Sequence, residues 1–585
     1  MKQFFKYVLA TITGVFLLMF IFFIVFASII ASSSKKQTVD IEDNSVLHLK
    51  LNYQIKDRPQ DNPLDIFAAS LTGDMNRPVG LYDIVTCIEH AKDDEDIKGI
   101  FLDVSVLGAG YGKLSEIRAA LEDFKTSGKF IYAYGEVLYN QSYYFASVAD
   151  SVMLNPSGTM LFNGLAADVT FLKETLAKMG IEMQVIKRGK FKGAVEPFVL
   201  DKLSPENRKQ ITEYVESIYG ELLSKISTSR NLSVEELRAI ANEVRVKTST
   251  DAVTHKLVDH LAYRDQVEDM MKKATGEEKL NMITLAKYNS VVNPVGKSKS
   301  GDKIAVIYAD GSIVSGNGQS DEIGSDKFAK ALKDARENDK VKAVVLRINS
   351  GGGSALASDV IWRETQLLKG KKPLIVSMGD VAASGGYYIA CLGDSILSMP
   401  STITGSIGVF GLYPNAEALF DKLGLHSEVV KTGDMSDFGR IDRQLNTNEL
   451  GLLDAMIGQI YDQFLHRVET GRHLDRNHLD TIAEGRVWTG TYAKNLGLVD
   501  AFGGLQDAID IAANKAGLKD YKVASYPKAD NPFEMFFGGD FGATSLKNKW
   551  VKEELGSYYP IYNKLQRLKS LSGMQMIIPI EVELN

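Results

Sequence analysis

The chain has 585 residues, 45% hydrophobic and 24% charged, with a net charge of −7. That length exceeds a single hydrophobic core, so two or more domains are expected, and the acidic balance argues against a nucleic-acid surface as the main function. Two cysteines, Cys87 and Cys391, build no disulfide framework, and the eight histidines form neither an HxxxH nor an HExxH pair, so no metal site or cofactor is expected.

The first element in the chain is apolar. Tyr7 to Ala31 carries no charge, and at about 1.5 Å per residue a helix of that length spans the roughly 30 Å bilayer core. A cleaved signal peptide is the alternative, but its apolar region is usually only about 7–15 residues, and no clean A-x-A site follows here. An uncleaved single-pass anchor over residues 1–35 is therefore expected. Lys2 and Lys6 precede the run and Lys35 and Lys36 follow it, so charge alone orients it weakly. A short leading tail before a large remainder suggests that the bulk of the chain lies outside the cytoplasm.

Beyond the anchor the chain repeats itself. GEVLYNQSYYFASVADSVMLNP from Gly135 matches GDVAASGGYYIACLGDSILSMP from Gly379, an offset of 244 residues. The same offset aligns KGIFLDV at Lys98 with KAVVLRI at Lys342, and KMGIEMQVIKRG at Lys178 with KLGLHSEVVKTG at Lys422. IYGELL after Ser217 echoes IYDQFL after Gln459, and KLVD at Lys256 echoes GLVD at Gly497. The repeats are bounded at residues 45–287 and 303–520, with a polar Pro/Gly/Ser-bearing linker at 288–302. Residues 521–585 have no repeat partner. Their apolar runs, NPFEMFFGGDFG and MQMIIPIEVE, are too short to span a membrane and are expected in packing or subunit contact.

Each repeat alternates short β-branched runs with helical patterns. In the second, KIAVIYA, VKAVVLRI and PLIVSM read as buried strands, and SDKFAKALKDAREN as a helix with Ser325 as its N-cap. The fold class is therefore α/β, with parallel strands and right-handed crossovers. Sites in such folds are built by loops at the carboxyl ends of the strands.

Two loops of that kind carry chemistry. GDVAASGGYYIA puts Ser384 directly after PLIVSM, and INSGGGSALAS, Ile348 to Ser358, follows VKAVVLRI. Taken singly, Ser384 reads as an N-cap and the glycines as a tight turn. Neither GxxxxGK[ST] nor GxGxxG is present, so a phosphate loop is not indicated. Together the loops fit acyl transfer, with Ser384 as nucleophile, one oxyanion donor from Gly352 or Gly353, and another from Gly385. No histidine motif supplies a base. A lysine can do so when burial lowers its pKa. RGKFKGAVEPF offers Lys190 and Lys192, whose repeat partners are Asp434 and Ser436, while the repeat partner of Ser384 is Asn140. Each repeat thus holds one half of a Ser–Lys pair, which fits a site shared between them.

INSGGGS, GDVAASGGYYIA, TGSIGV and GKFKGAVEPF together resemble the signal peptide peptidase A (protease IV) family in its long, two-repeat, membrane-anchored form. The resemblance implies a tandem of two caseinolytic-protease/crotonase-like domains and a Ser–Lys dyad. Ser384 would be its nucleophile, Lys192 its general base, and Ser406 the serine bonded to the lysine amine. Ser406 has Phe162 as repeat partner, so this role too falls to one repeat. The implied substrates are cleaved signal peptides and other unstructured apolar peptides. The implied setting is a homotetrameric dome on the outer side of the bacterial inner membrane. The family's Ser-Pro-Gly-Gly loop here reads Ser350-Gly351-Gly352-Gly353, which loosens the turn but keeps its donors. Alternatives are a crotonase-type acyl-CoA enzyme and a non-catalytic membrane scaffold.

The remaining residues take plainer readings. Lys190 alternates to the opposite face of an extended segment from Lys192, and Lys187, matched by Lys431, suggests a shared structural role. Cys391 reads as a small buried apolar residue. Asp380 and Glu136 match between repeats and read as loop-shaping, and the pairs Tyr387–Tyr388 and Tyr143–Tyr144 as core.

Overall fold

A computed structural model describes residues 2–33, 41–58, 79–104, 106–292, 301–319, 321–528, 551, 573–578 and 583–584. The leading apolar run lies in one helix, Lys2–Ser33, whose side chains from residue 22 onward are outside the described set. Among the described residues no helix is long and apolar enough to cross a membrane.

Each repeat builds a sheet of parallel strands from its β-branched runs. In the first, Ser45–Lys50, Ile97–Val104, Phe130–Tyr139 and Ser151–Leu161 pair in that order. Met282–Thr284 and His260–Leu261 close the two edges. In the second, Lys303–Asp310, Val341–Ser350 and Leu374–Ala383 repeat the same order and direction. The central strands Ile97–Val104 and Val341–Ser350 are buried nearly throughout, which is why they read as continuous apolar runs rather than alternating ones. Helices Leu81–Asp93 and Tyr111–Phe124, and their counterparts Ser325–Glu337 and Ala355–Lys369, make the crossovers.

Sequence periodicity misplaced three details. Ser325 opens its helix rather than capping it; Gly324 holds the cap position, and the Ser325 hydroxyl accepts from the Gly316 N–H at 3.0 Å. The first repeat packs beyond residue 287, because helix Leu285–Val292 buries Tyr288 and Val292 in its core. Lys522–Tyr526, assigned to a tail without repeat partner, pairs in parallel with Lys303–Asp310, as Met282–Thr284 does with Ser45–Lys50. The linker residues 293–300 and NPFEMFFGGDFG lie outside the described residues.

The repeats are joined by a buried ionic cluster and by an exchanged arm. Arg347 of the second repeat meets Asp57 at 2.8 Å and Glu116 at 2.9 Å, both from the first. Burial pushes both carboxyls up; Arg347 and Lys113 more than reverse this for Asp57, whereas Glu116 stays raised. Asp380 extends the seam, accepting from the Gly110 and Lys113 N–H groups at 3.2 and 2.9 Å, so it binds the other repeat rather than shaping only its own loop. The arm is Glu182–Arg188, which pairs antiparallel with Val409–Asn415 of the second repeat. The paired tyrosines are core as expected: Tyr143 donates to the Leu257 carbonyl at 2.8 Å and Tyr387 to that of Leu498 at 2.9 Å. Cys391 is buried, and burial pushes its thiol up to about 12, well away from a reactive thiolate.

Candidate active site

Ser384 sits between strand Leu374–Ala383 and helix Gly385–Ala390, with φ 55° and ψ −114°. A non-glycine residue there stores on the order of 1–3 kcal/mol of backbone strain and persists only where its surroundings hold it. Here the Ser384 N–H donates to the Gly405 carbonyl at 2.8 Å, and Ala383 pairs with Gly405 in the sheet. Ser406, next along, is also strained, with φ 52°. Both serines are thereby fixed on one side of the same loop crossing.

The arm from the first repeat delivers Lys192 to this point. After Arg188 it turns at Gly189, and the Phe191 N–H donates to the Glu484 carbonyl at 3.0 Å. Lys192 Nζ lies 2.7 Å from Ser384 Oγ, 3.0 Å from Ser406 Oγ and 3.1 Å from the Ser406 carbonyl oxygen. Ser406 Oγ in turn donates to the Gly485 carbonyl at 3.3 Å. Lys192, Ser384 and Ser406 are all 0% exposed. Burial pushes the Lys192 amine well below the ordinary lysine value of 10.5. No carboxylate lies among the groups that shift it, so no counter-charge offsets the burial. A neutral amine accepting from a serine hydroxyl is the arrangement a Ser–Lys nucleophile requires. Lys190 points away, pairing with Glu484 at 2.8 Å on the surface. Lys187 lies within the arm opposite Phe410, whereas Lys431 pairs with Asp437 at 2.6 Å, so the two do not share a structural role.

The glycine loop divides its labour. The Gly352 N–H donates to Ser350 Oγ at 3.1 Å, and Ser350 Oγ donates to the Gly311 carbonyl at 2.7 Å. Ser350 therefore ties the loop down where the family's proline is missing. With Gly352 committed to Ser350, the oxyanion candidates are Gly385 and Gly353, which stands opposite Met576 in the ladder. A Cβ on Gly352, where φ is 100°, would stand 2.7 Å from the Gly385 nitrogen, so only glycine lets the two loops approach this closely.

Sequence reading missed the residues that hold the lysine. Gln210 donates through Nε2 to the Phe191 carbonyl at 2.9 Å and accepts at Oε1 from the Val487 N–H at 3.1 Å, clamping the arm to the second repeat. Gly485 leaves room for Lys192: a Cβ there would come 2.8 Å from the lysine Cβ. Gln210 lies in a helix that reads as ordinary, and nothing local marks it.

A model of peptidase family S49 matches the chain twice, over residues 123–278 and 366–519. Protease 4 of Salmonella typhi is 35% identical over 521 residues, covering 86% of this chain and 83% of that protein. Protease 4 of Haemophilus influenzae is 31% identical over 498 residues, covering 82% and 80% respectively. The chloroplastic serine protease SPPA of Arabidopsis thaliana is 32% identical over 503 residues, covering 84% and 72%. These matches displace the acyl-CoA and scaffold alternatives. With two copies of the family domain and relatives of this extent, the chain belongs to peptidase family S49 and is a serine protease.

Proposed function

We propose that the protein is a membrane-anchored endopeptidase working through a Ser384–Lys192 dyad on cleaved signal peptides and other apolar peptides. The observation carrying this reading is the 2.7 Å contact between Lys192 Nζ and Ser384 Oγ in a fully buried setting. Neutral Lys192 takes the Ser384 proton as Oγ attacks the peptide carbonyl carbon. The oxyanion develops toward the Gly353 and Gly385 N–H groups. Protonated Lys192 gives its proton to the leaving amine as the C–N bond breaks. Water, deprotonated by the same lysine, then hydrolyses the acyl ester and frees Ser384. Ser406, touching the amine but not the substrate, keeps the lysine aimed.

The charge-free run Tyr7 to Ala31 supports a single-pass anchor in the bacterial inner membrane, with the repeats on the outer side. A homotetramer is supported by an unpaired counterpart of the arm. Ile186 pairs with Gly411 and packs on the second repeat's core. Its repeat partner Val430 is 97% exposed, with Leu425 and Val429 exposed nearby. Such a segment fits the first repeat of a second copy, a head-to-tail contact that closes into a ring.

Hydrolysis of an unstructured apolar peptide by the detergent-solubilised chain tests the dyad. Ser384→Ala and Lys192→Ala are each expected to abolish it, and full activity in either variant would remove the proposal.

A further inference from the structure

Arg486 reaches both sides of the Ser384–Lys192 pair. Its backbone carbonyl accepts from the Ser406 N–H at 2.7 Å, next to Gly485, whose carbonyl accepts from Ser406 Oγ. Its guanidinium stands over the ring of Phe191, the neighbour of Lys192 in the arm, with Cζ 5.1 Å from the ring centroid. The same guanidinium lies 4.1 Å from the Trp488 ring and donates to Glu213, on helix Pro205–Arg230 of the first repeat. Its Nε is buried without a hydrogen-bond partner, so the two rings and the carboxylate hold the group in place.

The first repeat keeps this arginine and uses it differently. EGRVWTGT from Glu484 matches EVRVKTST from Glu243, which aligns Arg486 with Arg245 and Trp488 with Lys247. Arg245 turns back to Glu243, Nε to Oε2 at 2.9 Å, and its side chain is 39% exposed. The stack on two rings therefore accompanies the base and is not a requirement of the fold. Other charged groups on the arm have partners of their own: Lys190 pairs with Glu484 at 2.8 Å, and the Glu196 carboxylate accepts from the Ser204 N–H at 3.1 Å. The Lys192 amine is kept below the ordinary lysine value by exclusion of water, and that exclusion depends on how closely the arm is held.

We propose that Arg486 is a positioning residue for the base, bracing Phe191 from Trp488 and Glu213 so that the Lys192 amine stays against Ser384 and away from water. This rests on the Ser384–Lys192 reading. Arg486 acts through Phe191 and Ser406 and not on the reacting atoms. A looser arm admits water to the amine, which then titrates at a higher pH and is less often neutral.

The test measures kcat and KM against pH for the detergent-solubilised full chain on a fluorogenic apolar peptide, with active sites counted by a fluorophosphonate. Arg486→Ala is expected to move the acid limb of kcat up by about one pH unit, so that kcat on that limb falls about tenfold while KM is unchanged. Arg486→Lys keeps a charge for Glu213 but not the flat surface for the rings, and should shift the limb by less. Phe191→Leu removes the ring, keeps an apolar side chain, and should move the limb in the same direction. An acid limb at the parent's pH in Arg486→Ala, or in Phe191→Leu where the first variant does not fold, would overturn the proposal. A residue that only stabilises the fold changes the number of active sites and not their titration. Undiminished hydrolysis by Ser384→Ala would instead overturn the dyad reading on which the proposal rests.

Discussion

The two repeats share a fold and differ at four points around Ser384 and Lys192. Where the second has Ser384 in a strained turn, the first has Asn140 as the opening residue of helix Asn140–Ala146. Asn140 donates to Asn163 Oδ1 and the Gly164 carbonyl, each at 2.9 Å, and so is spent on its own loop. Gln141 stands in for Gly385 and donates to the Ala109 carbonyl at 2.6 Å. Phe162 stands in for Ser406 and packs edge-on against Tyr143, with ring centroids 5.6 Å apart. In exchange the first repeat supplies Lys192, where the second has the exposed Ser436. Duplication preserved the sheet because its burial leaves little freedom. The loops at its edge were free to diverge, and in the proposed mechanism one carries the nucleophile and the other the base.

The largest expected effect comes from deleting either specialised half. Ser384→Ala and Lys192→Ala should each lower kcat by roughly 10⁴–10⁶-fold with unchanged circular dichroism, and the double variant should be no worse than either single one. A double variant that lost substantially more than the singles would separate the residues into independent roles and break the comparison.

The oxyanion assignment comes next. At Gly353, φ is 159°, and a Cβ would stand 2.0 Å from the Ile313 carbonyl oxygen. Gly353→Ala should therefore reduce kcat by about 10²–10³-fold. The corresponding residue of the first repeat is already Ala109, and replacing it with glycine should leave the rate alone.

The seam between repeats is a question of stability. Arg347→Ala leaves Asp57 and Glu116 buried without their cation. About 3–5 kcal/mol is expected to be lost, read as a shift in the denaturant midpoint.

The pH dependence sharpens the role of the base. The folded pKa of Lys192 is depressed, so the unfolded chain binds the extra proton between that value and 10.5. Stability therefore rises with pH across this window, and activity fades as pH falls below the depressed pKa. Lys192→Met should raise Tm at pH 7, with the gain vanishing above the ordinary lysine value of 10.5. A gain that persisted there would show that the amine is charged in the folded state.

Smallest of all is Asn140→Ser. It should create no second active site, leave kcat/KM unchanged, and cost about 1 kcal/mol from the hydrogen bonds lost. Probe labelling at residue 140 would mean that the first repeat had kept a latent site.

Much of this was legible in the linear chain. The offset of 244 residues exposed the repeat, and the mismatch of Asn140 with Ser384 and of Lys192 with Ser436 put one candidate of a Ser–Lys pair in each half. Choosing Lys192 over Lys190 needed the family resemblance, and the structure gives the reason in the turn at Gly189 that sends one inward and the other to Glu484. A serine opening a helix looks the same one residue either way, so the sequence puts the N-cap at Ser325 where the structure has Gly324.

The sequence by itself determined the α/β alternation and the duplication and offered the candidates for the site, because burial and β-branched runs impose a pattern that neighbouring residues reveal. Only the tertiary structure decided what lies next to Ser384. The amine from 192 residues upstream, the clamp at Gln210, the commitment of Gly352 to Ser350 and the strand at Met576 all depend on contacts between distant segments. No local periodicity encodes such contacts, since each is fixed by how two packed repeats meet.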